Sequence, residues 1–500
     1  MDIAMLRNDY YMNNGMWTAS NELLDNKVHQ NAGYYWQDME LQNAGYTYDY
    51  FSPYLLAEEG VTIEDGMINP DGVAYQAVIV MQDEMPLESA QVLLEGAKNG
   101  LPVVFVNNVE EIINKSDHPK VNTIAASTTG SNDGKDQELA EVIAEMKKLE
   151  NVRTVESPQD AYEALQELGV SPRAGYMEPN SKVLSVMRKT EDVSYLYCYH
   201  YMYGDDEDYQ GQVAVEGIYE PYVLNTWSGD VEKVSYYDTK DGKTILNLDL
   251  VPGDVKVFLL KPVEEHTETS IVSVENVSHV ITRNGTVYMA AEESGTASAV
   301  LSDGTVVEEE AAVPENINLT GWSLTVDSYL PGEKVVRTEL TEETGIESTE
   351  VTYDTRHETI NAGTLDTLVP WKEIENIGDA VSGVGTYTTS FQLPDDWDGS
   401  CGAVFRAEDF NLGTAALFVN GQQVPINMDS RTADISEFVT AGENEIQVRV
   451  TSSLRNIMRE IGYDQGWVNE GFGLNDIPEA DDYGMTGKTE LLTYRTVPVL

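Results

Sequence analysis

From the first residue to about residue 180, short apolar runs alternate with stretches in which apolar residues recur every three or four positions. Residues 3–6, 77–81, 102–106 and 152–155 read as strands, and 86–99, 137–149 and 158–168 as helices. Leu87, Ala90, Val92, Leu93, Leu94 and Ala97 lie on one stripe of the first of these helices, and Gly100 with Pro102 supplies its stop. This alternation predicts a flavodoxin-like open α/β sheet over residues 1–180.

After residue 181 the apolar period drops to two. Residues 182–187, 194–200, 212–215, 233–237, 244–248 and 254–260 read as strands parted by Gly, Asp and Asn turns, a small β-sandwich over 181–262. Tyr195, Tyr197, Tyr199, Tyr201 and Tyr203 fall on one face, which is either the buried face between sheets or a sugar-stacking platform; the buried face is expected. Residues 263–315 are rich in Glu, Thr and Ser, with alternating runs at 270–274, 287–291 and 299–306. They read as a loose β-extension or linker, with turns at Arg283-Asn284-Gly285 and Ser302-Asp303-Gly304. From 316 to 500 the strands return at 322–326, 385–393, 402–407, 415–419, 444–450 and 487–494, in the order of a jelly roll. Asn420-Gly421 is a type I′ hairpin signal, because both central residues of that turn take positive φ. The fold class is multidomain α/β plus all-β.

Charge narrows the function. The chain has 86 acidic and 30 basic residues and a net charge of −56. No Lys/Arg cluster appears, which excludes a nucleic-acid partner and disfavours an anionic membrane. A neutral ligand such as a sugar meets no electrostatic penalty here. Cys198 and Cys401 fall in different predicted domains and lack metal-ligand spacing, so neither a disulfide nor zinc is expected. The opening residues carry no export signal and no long apolar run occurs, leaving the compartment open between extracellular and cytoplasmic. No glycine-rich cradle follows the first strand, where Asn8-Asp9-Tyr10-Tyr11-Met12 stands instead. No nucleotide, flavin or nicotinamide site is therefore expected. Structural calcium in acidic loops is the one cofactor left open, without EF-hand spacing.

Catalytic signals are weak. Glu408-Asp409, and Glu470 beside Trp467, are the acid groupings closest to a hydrolytic pair, and they read as surface or calcium-loop carboxylates. The six histidines are scattered, no GxSxG elbow occurs, and His357 is expected to be exposed. The richest stretch is the loop 462–476, where Tyr463, Asp464, Trp467, Asn469 and Glu470 stand among glycines. That mixture suits a sugar subsite, with a ring to stack and acceptors for hydroxyls; the competing reading is a connection anchored by its aromatics.

Several blocks resemble known proteins. Ser382-Gly383-Val384-Gly385-Thr386-Tyr387-Thr388-Thr389-Ser390-Phe391, Ala416-Leu417-Phe418-Val419-Asn420-Gly421, Ala433-Asp434-Ile435, Ala441-Gly442-Glu443-Asn444-Glu445-Ile446 and Leu454-Arg455-Asn456 resemble the galactose-binding-like jelly roll of many glycoside hydrolases. Ala44-Gly45-Tyr46-Thr47-Tyr48-Asp49-Tyr50, Asn69-Pro70-Asp71-Gly72-Val73-Ala74-Tyr75, Met85-Pro86-Leu87 and Gly100-Leu101-Pro102-Val103-Val104 narrow the likeness to the region after the barrel in glycoside hydrolase family 106, the α-L-rhamnosidases. The resemblance implies a (β/α)8 catalytic barrel that this chain lacks, whether truncated, split off or carried by a separate polypeptide. It implies a non-catalytic accessory portion that supports the barrel and contributes to binding a rhamnose-containing glycan. The alternatives are a free-standing carbohydrate-binding protein and a complete glycoside hydrolase with an unrecognised carboxylate site.

Overall fold

The computed structural model describes residues 1–7, 36, 38–109, 124–204, 207–264, 268–283, 285–341, 345–460 and 479–500. The protein is mainly β and multidomain. It divides into two compact units, Met1–Leu224 with Tyr237–Thr267, and Asn225–Tyr236 with Glu268–Leu500.

The first unit opens with strands β1 (Ile3–Leu6), β2 (Tyr48–Phe51), β3 (Ala77–Val80), β4 (Val103–Val106) and β5 (Val152–Val155), all parallel and in the order β2-β1-β3-β4-β5. This is the strand order of doubly wound, flavodoxin-like sheets. β1, β3 and β4 are buried on both faces, so their sequence shows continuous apolar runs instead of alternation. Helices α1 (Leu87–Lys98) and α2 (Asp136–Met146) cover one face, where Leu93 and Leu139 meet Val78 and Phe105. Helix α3 (Ala161–Glu167) covers the other, where Leu165 meets Ile79 and Val104. Strand β2 has no such run, since its Tyr-Asp-Tyr residues are half-buried at the sheet edge.

A two-sheet sandwich follows. One sheet contains β6 (Ala174–Tyr176), β9 (Tyr209–Glu216), β11 (Tyr237–Lys240) and β12 (Lys243–Leu250), in the order β11-β12-β9-β6. The other contains β7 (Val183–Lys189), β8 (Ser194–His200), β10 (Tyr219–Leu224) and β13 (Val255–Pro262), in the order β10-β13-β8-β7. The tyrosines of β8 do not face the core as expected. Ser194, Leu196, Cys198 and His200 are the buried set, and Tyr195, Tyr197 and Tyr199 point to the opposite face. A period of two forces the choice, and Leu196 and Cys198, with Phe258 beside Leu196 on β13, take the inter-sheet face. Tyr201 and Tyr203 lie beyond the end of the strand, and Tyr203 is exposed.

In the second unit, the segment read as an extension or linker is built into sheets. Strands β14 (Ile271–Glu275), β17 (Gly295–Leu301) and β18 (Val306–Ala311) form a three-stranded sheet over buried Ile271, Ala297, Ala299 and Leu301. The single run expected at 299–306 breaks at the Ser302–Thr305 turn, where Gly304 takes φ 86°. The intervening hairpin, β15 (His279–Arg283) and β16 (Thr286–Ala291), pairs instead with the final strand of the chain.

The terminal sandwich has two six-stranded sheets. Its strands are β19 (Ser323–Thr341), β20 (Ile346–Thr364), β21 (Gly383–Leu393), β22 (Cys401–Asn411), β23 (Thr414–Val419), β24 (Gln422–Val424), β25 (Thr432–Asp434), β26 (Gly442–Thr451) and β27 (Tyr483–Pro498). One sheet runs β20-β19-β21-β26-β23-β24; the other runs β15-β16-β27-β22-β25, with Ile317–Asn318 also on β27. Trp322, Trp371, Tyr387, Phe405 and Phe410 fill the space between. Their polar atoms are partnered: Trp371 Nε1 donates to Tyr387 Oη at 2.8 Å, and Trp322 Nε1 to Thr489 Oγ1 at 3.0 Å. The Asn420-Gly421 turn has φ 49° and 80°, as a type I′ hairpin requires. No helix among the described residues is long and apolar enough to cross a membrane.

Candidate functional site

The loop that joins β21 to β22, Pro394-Asp395-Asp396-Trp397-Asp398-Gly399-Ser400, carries an aromatic ring on a tightly bonded turn. Trp397 N–H donates to Pro394 O at 3.0 Å and Cys401 N–H to Asp398 O at 3.0 Å. Asp398 accepts from the Ser400 hydroxyl and from Ser400 N–H, the latter at 2.9 Å. Those bonds hold its carboxyl below the usual carboxylate range, so it stays ionised. Trp397 is half-buried, anchored on the sandwich core but open on one side.

Trp397 borders a cavity of about 430 Å³ whose other walls come from Arg283 at the end of β15, Cys401 at the start of β22, and residues 436–441 after β25. A hydrogen-bond chain backs its polar lining, Arg283 and Ser436. Arg283 Nη2 donates to Tyr494 Oη at 2.9 Å, and Tyr494 Oη donates to Asp434 Oδ2 at 2.7 Å. Ser436 Oγ lies 3.0 Å from the same phenol and donates to Asp434 Oδ1. Arg283 Nη2 is also 4.0 Å from Asp434 Oδ2, an ion pair. Burial, then the Asp434 charge, pushes the Tyr494 phenol well above its ordinary value, so it remains a neutral donor. On the other side Arg495 Nη1 stands 3.6 Å from Asp398 Oδ1 and 2.9 Å from Cys401 Sγ.

Local backbone chemistry places these groups. Tyr494 is fully buried, its ring edge-on to His279 at 5.0 Å. It lies against Gly402, its register partner on β22, where a Cβ would sit 2.0 Å from the ring. Only glycine lets the ring lie flat there and carry its hydroxyl to Asp434. The lining thus offers a half-exposed indole face, the Arg283 guanidinium, the Asp398 and Glu437 carboxylates and the Ser436 hydroxyl around one concavity. That set stacks an apolar ring face and exchanges hydrogen bonds with several hydroxyls.

A larger cavity of about 520 Å³ lies between Asn318–Trp322, Leu365–Leu368 and Gly487–Thr489. It presents no open ring, since Trp322 is 2% exposed, and its Lys488 ammonium is bound by Glu490 at 2.6 Å.

Tyr463, Asp464, Trp467, Asn469 and Glu470 lie outside the described residues, as does the whole 462–476 loop. Its two flanks are bonded to each other: Asn456 Nδ2 donates to Asp481 O at 3.0 Å, and Asp481 N–H to Asn456 Oδ1 at 2.8 Å. Glu408 and Asp409 hold backbone, not a reaction centre. Glu408 accepts Lys488 N–H at 2.7 Å and Asp409 accepts Asn411 N–H at 2.8 Å. His357 is exposed, 3.0 Å from Asp327. Cys198 and Cys401 are free and buried. Among the described residues no group of three or more His, Cys, Asp or Glu is gathered to hold a metal ion. Sequence reasoning missed Trp397, although Trp397 and Asp398 beside Gly399 show the same aromatic–acid–glycine mixture that singled out 462–476. Arg283, Asp434 and Tyr494 converge only through sheet pairing and left no local signal.

Residues 371–470, which include Trp397, Asp434 and Ser436, match the family of glycosyl hydrolases family 2 sugar binding domains. No curated protein matches the chain. A rhamnosidase from Novosphingobium sp. PP1Y shares the fold at 16% identity with a TM-score of 0.56, covering 99% of this chain and 39% of its own. The chain therefore spans about two-fifths of that protein. Stretches also align with a β-D-glucuronidase from Dictyoglomus thermophilum at 16% identity, over 37% of this chain and 29% of that one, TM-score 0.21. An α-L-rhamnosidase from the same organism aligns at 10% identity, over 62% and 27%, TM-score 0.16. The last two scores are too low to bear on the fold. Over residues 371–470 the chain is similar to a sugar-binding domain of glycosyl hydrolases, and its fold is shared with a rhamnosidase.

Proposed function

We propose that this chain is the carbohydrate-handling, non-catalytic portion of an α-L-rhamnosidase-like glycoside hydrolase of the family 106 kind, and that it supports a catalytic barrel carried elsewhere. The observation that carries the reading is the Trp397 cavity. Apart from Arg283 its lining lies within the residues that match a sugar-binding family, and it joins an indole face to Arg283, Asp398 and Glu437. In this reading Trp397 stacks on a sugar ring, Arg283 donates to hydroxyls and the two carboxylates accept from them. The loop bearing Tyr463, Asp464, Trp467, Asn469 and Glu470 adds further contacts to a rhamnose-containing glycan. The non-catalytic part of the proposal rests on chemistry. Hydrolysis of a glycoside needs one carboxyl held protonated and a second placed across the bond, and the Asp398 carboxyl beside Trp397 is held ionised.

An assay of the purified chain on aryl α-L-rhamnosides tests this. No sustained release of the aryl group is expected. Turnover that disappears when a carboxylate of this chain is replaced contradicts the proposal.

A further inference from the structure

The tyrosine face of the first unit's sandwich has no role in the reading above, and it is built unlike the rest of the surface. Strand register sets Arg188, Tyr195, Leu259 and Tyr222 in one cross-strand row. Val186, Tyr197, Val257 and Leu224 form the next, and Leu184, Tyr199 and Val255 a third. Tyr197 is 41% exposed, and Tyr195, Tyr199 and Tyr222 are half-exposed. The three rows hold no carboxylate, although the chain has 86 acidic residues in 500, and their single charge is Arg188. The rings of Tyr197 and Tyr199 lie 6.5 Å apart, tilted by 44°. At one border Lys261 Nζ sits 4.1 Å over the Tyr222 ring and the Glu220 carboxylate accepts from the Tyr222 hydroxyl; at the other, Leu184 and Val186 line a groove of about 160 Å³ with Thr47 and Tyr48.

We infer that this face is a second carbohydrate-binding site, which takes a neutral oligosaccharide laid along β8. Ring faces on a sheet attract the C–H faces of sugars through their negative quadrupole, while the phenol hydroxyls at their edges meet sugar hydroxyls. Charge selects the neutral ligand. An anionic chain is repelled by a protein of net charge −56, and the three rows offer a cationic one no carboxylate to pair with. The 44° tilt between the two rings makes the platform non-planar, so it fits a single twisted saccharide chain and not the flat face of a crystalline polymer. An apolar protein partner is the other occupant such a face takes, and it is an outcome of the test.

The test is affinity electrophoresis of the full chain through gels that contain xyloglucan, galactomannan, arabinoxylan, mixed-linkage β-glucan or dextran. Three variants run beside it: Tyr197→Ala/Tyr199→Ala, Tyr197→Phe/Tyr199→Phe and Trp397→Ala. At least one polysaccharide is expected to retard the wild type; the Ala pair weakens that binding about tenfold or more and the Phe pair retains most of it. Calorimetric melting of each variant separates lost binding from lost folding. Binding that depends on Tyr197 and Tyr199 survives Trp397→Ala, so this site and the Trp397 cavity stand or fall separately. The inference is overturned if no gel retards the wild type, which leaves the face to a protein partner, or if the folded Ala pair is retarded as the wild type is.

Discussion

Tyr494→Phe removes one oxygen from the hydrogen-bond chain behind the Trp397 cavity and little else. The ring keeps its place against Gly402 and its edge contact with His279, so no cavity larger than a hydroxyl opens. What is lost is the junction at which Arg283, Asp434 and Ser436 meet. Two of these bonds involve a charged partner, worth about 1.5–3 kcal/mol each when intact. Water recovers part of that, because the Asp434 side chain is 43% exposed and that of Arg283 22%. The net loss is therefore near the value of one such bond, about 2 kcal/mol. For a unit of this size that lowers the melting temperature by roughly 4–8 °C. Scanning calorimetry resolves a change of this size, and the transition to follow is the one that the variant shifts. Sugar affinity should fall with it, about tenfold, as Arg283 and Asp434 lose their fixed orientation. A melting temperature within about 1 °C of wild type, with unchanged affinity, refutes the idea that this phenol organises the wall.

Other outcomes follow from the same structure. Gly402→Ala sets a methyl group 2.0 Å from the Tyr494 ring, and overpacking of this kind costs about 1–3 kcal/mol, measurable as a lower urea midpoint. Lys256→Met should stabilise the first unit at neutral pH. Burial lowers the Lys256 pKa against the opposing pull of Asp249 and Asp254, so the wild type meets a penalty below its folded pKa that fades as pH rises toward the unfolded value. The stability gap between variant and wild type should then narrow between pH 7 and about pH 10 in denaturation series, and a gap that widens with pH contradicts the assignment.

The parts of the fold visible in the sequence were those governed by local periodicity. β1, β3 and β4 and the helices between them announce themselves because both faces of that sheet are covered. Strand β2 did not, since an edge strand of Tyr and Asp has no apolar run. The distal part of the β19–β20 ribbon is charged and Thr-rich with most described side chains exposed, so no alternation marked its 19-residue strands. The tyrosines of β8 were recognised as one face, but which face turned inward depended on Leu196, Cys198 and the neighbouring Phe258, a question of packing volume that the alternation leaves undecided. At the candidate site, Trp397 and Asp398 were locally readable. Arg283, Asp434 and Tyr494 were not, because they come from strands as far apart as residues 283 and 494 and meet only when β15 and β25 flank the sheet built on β27.

Calorimetric titration of L-rhamnose-terminated oligosaccharides into the wild type and Trp397→Ala tests the central claim most directly. Saturable binding to the wild type is expected, weakened about tenfold or more when the indole is removed, with the melting temperature lowered only slightly because Trp397 is half-buried. Wild type that binds none of these sugars, or a variant that binds them as tightly as wild type does, contradicts the account.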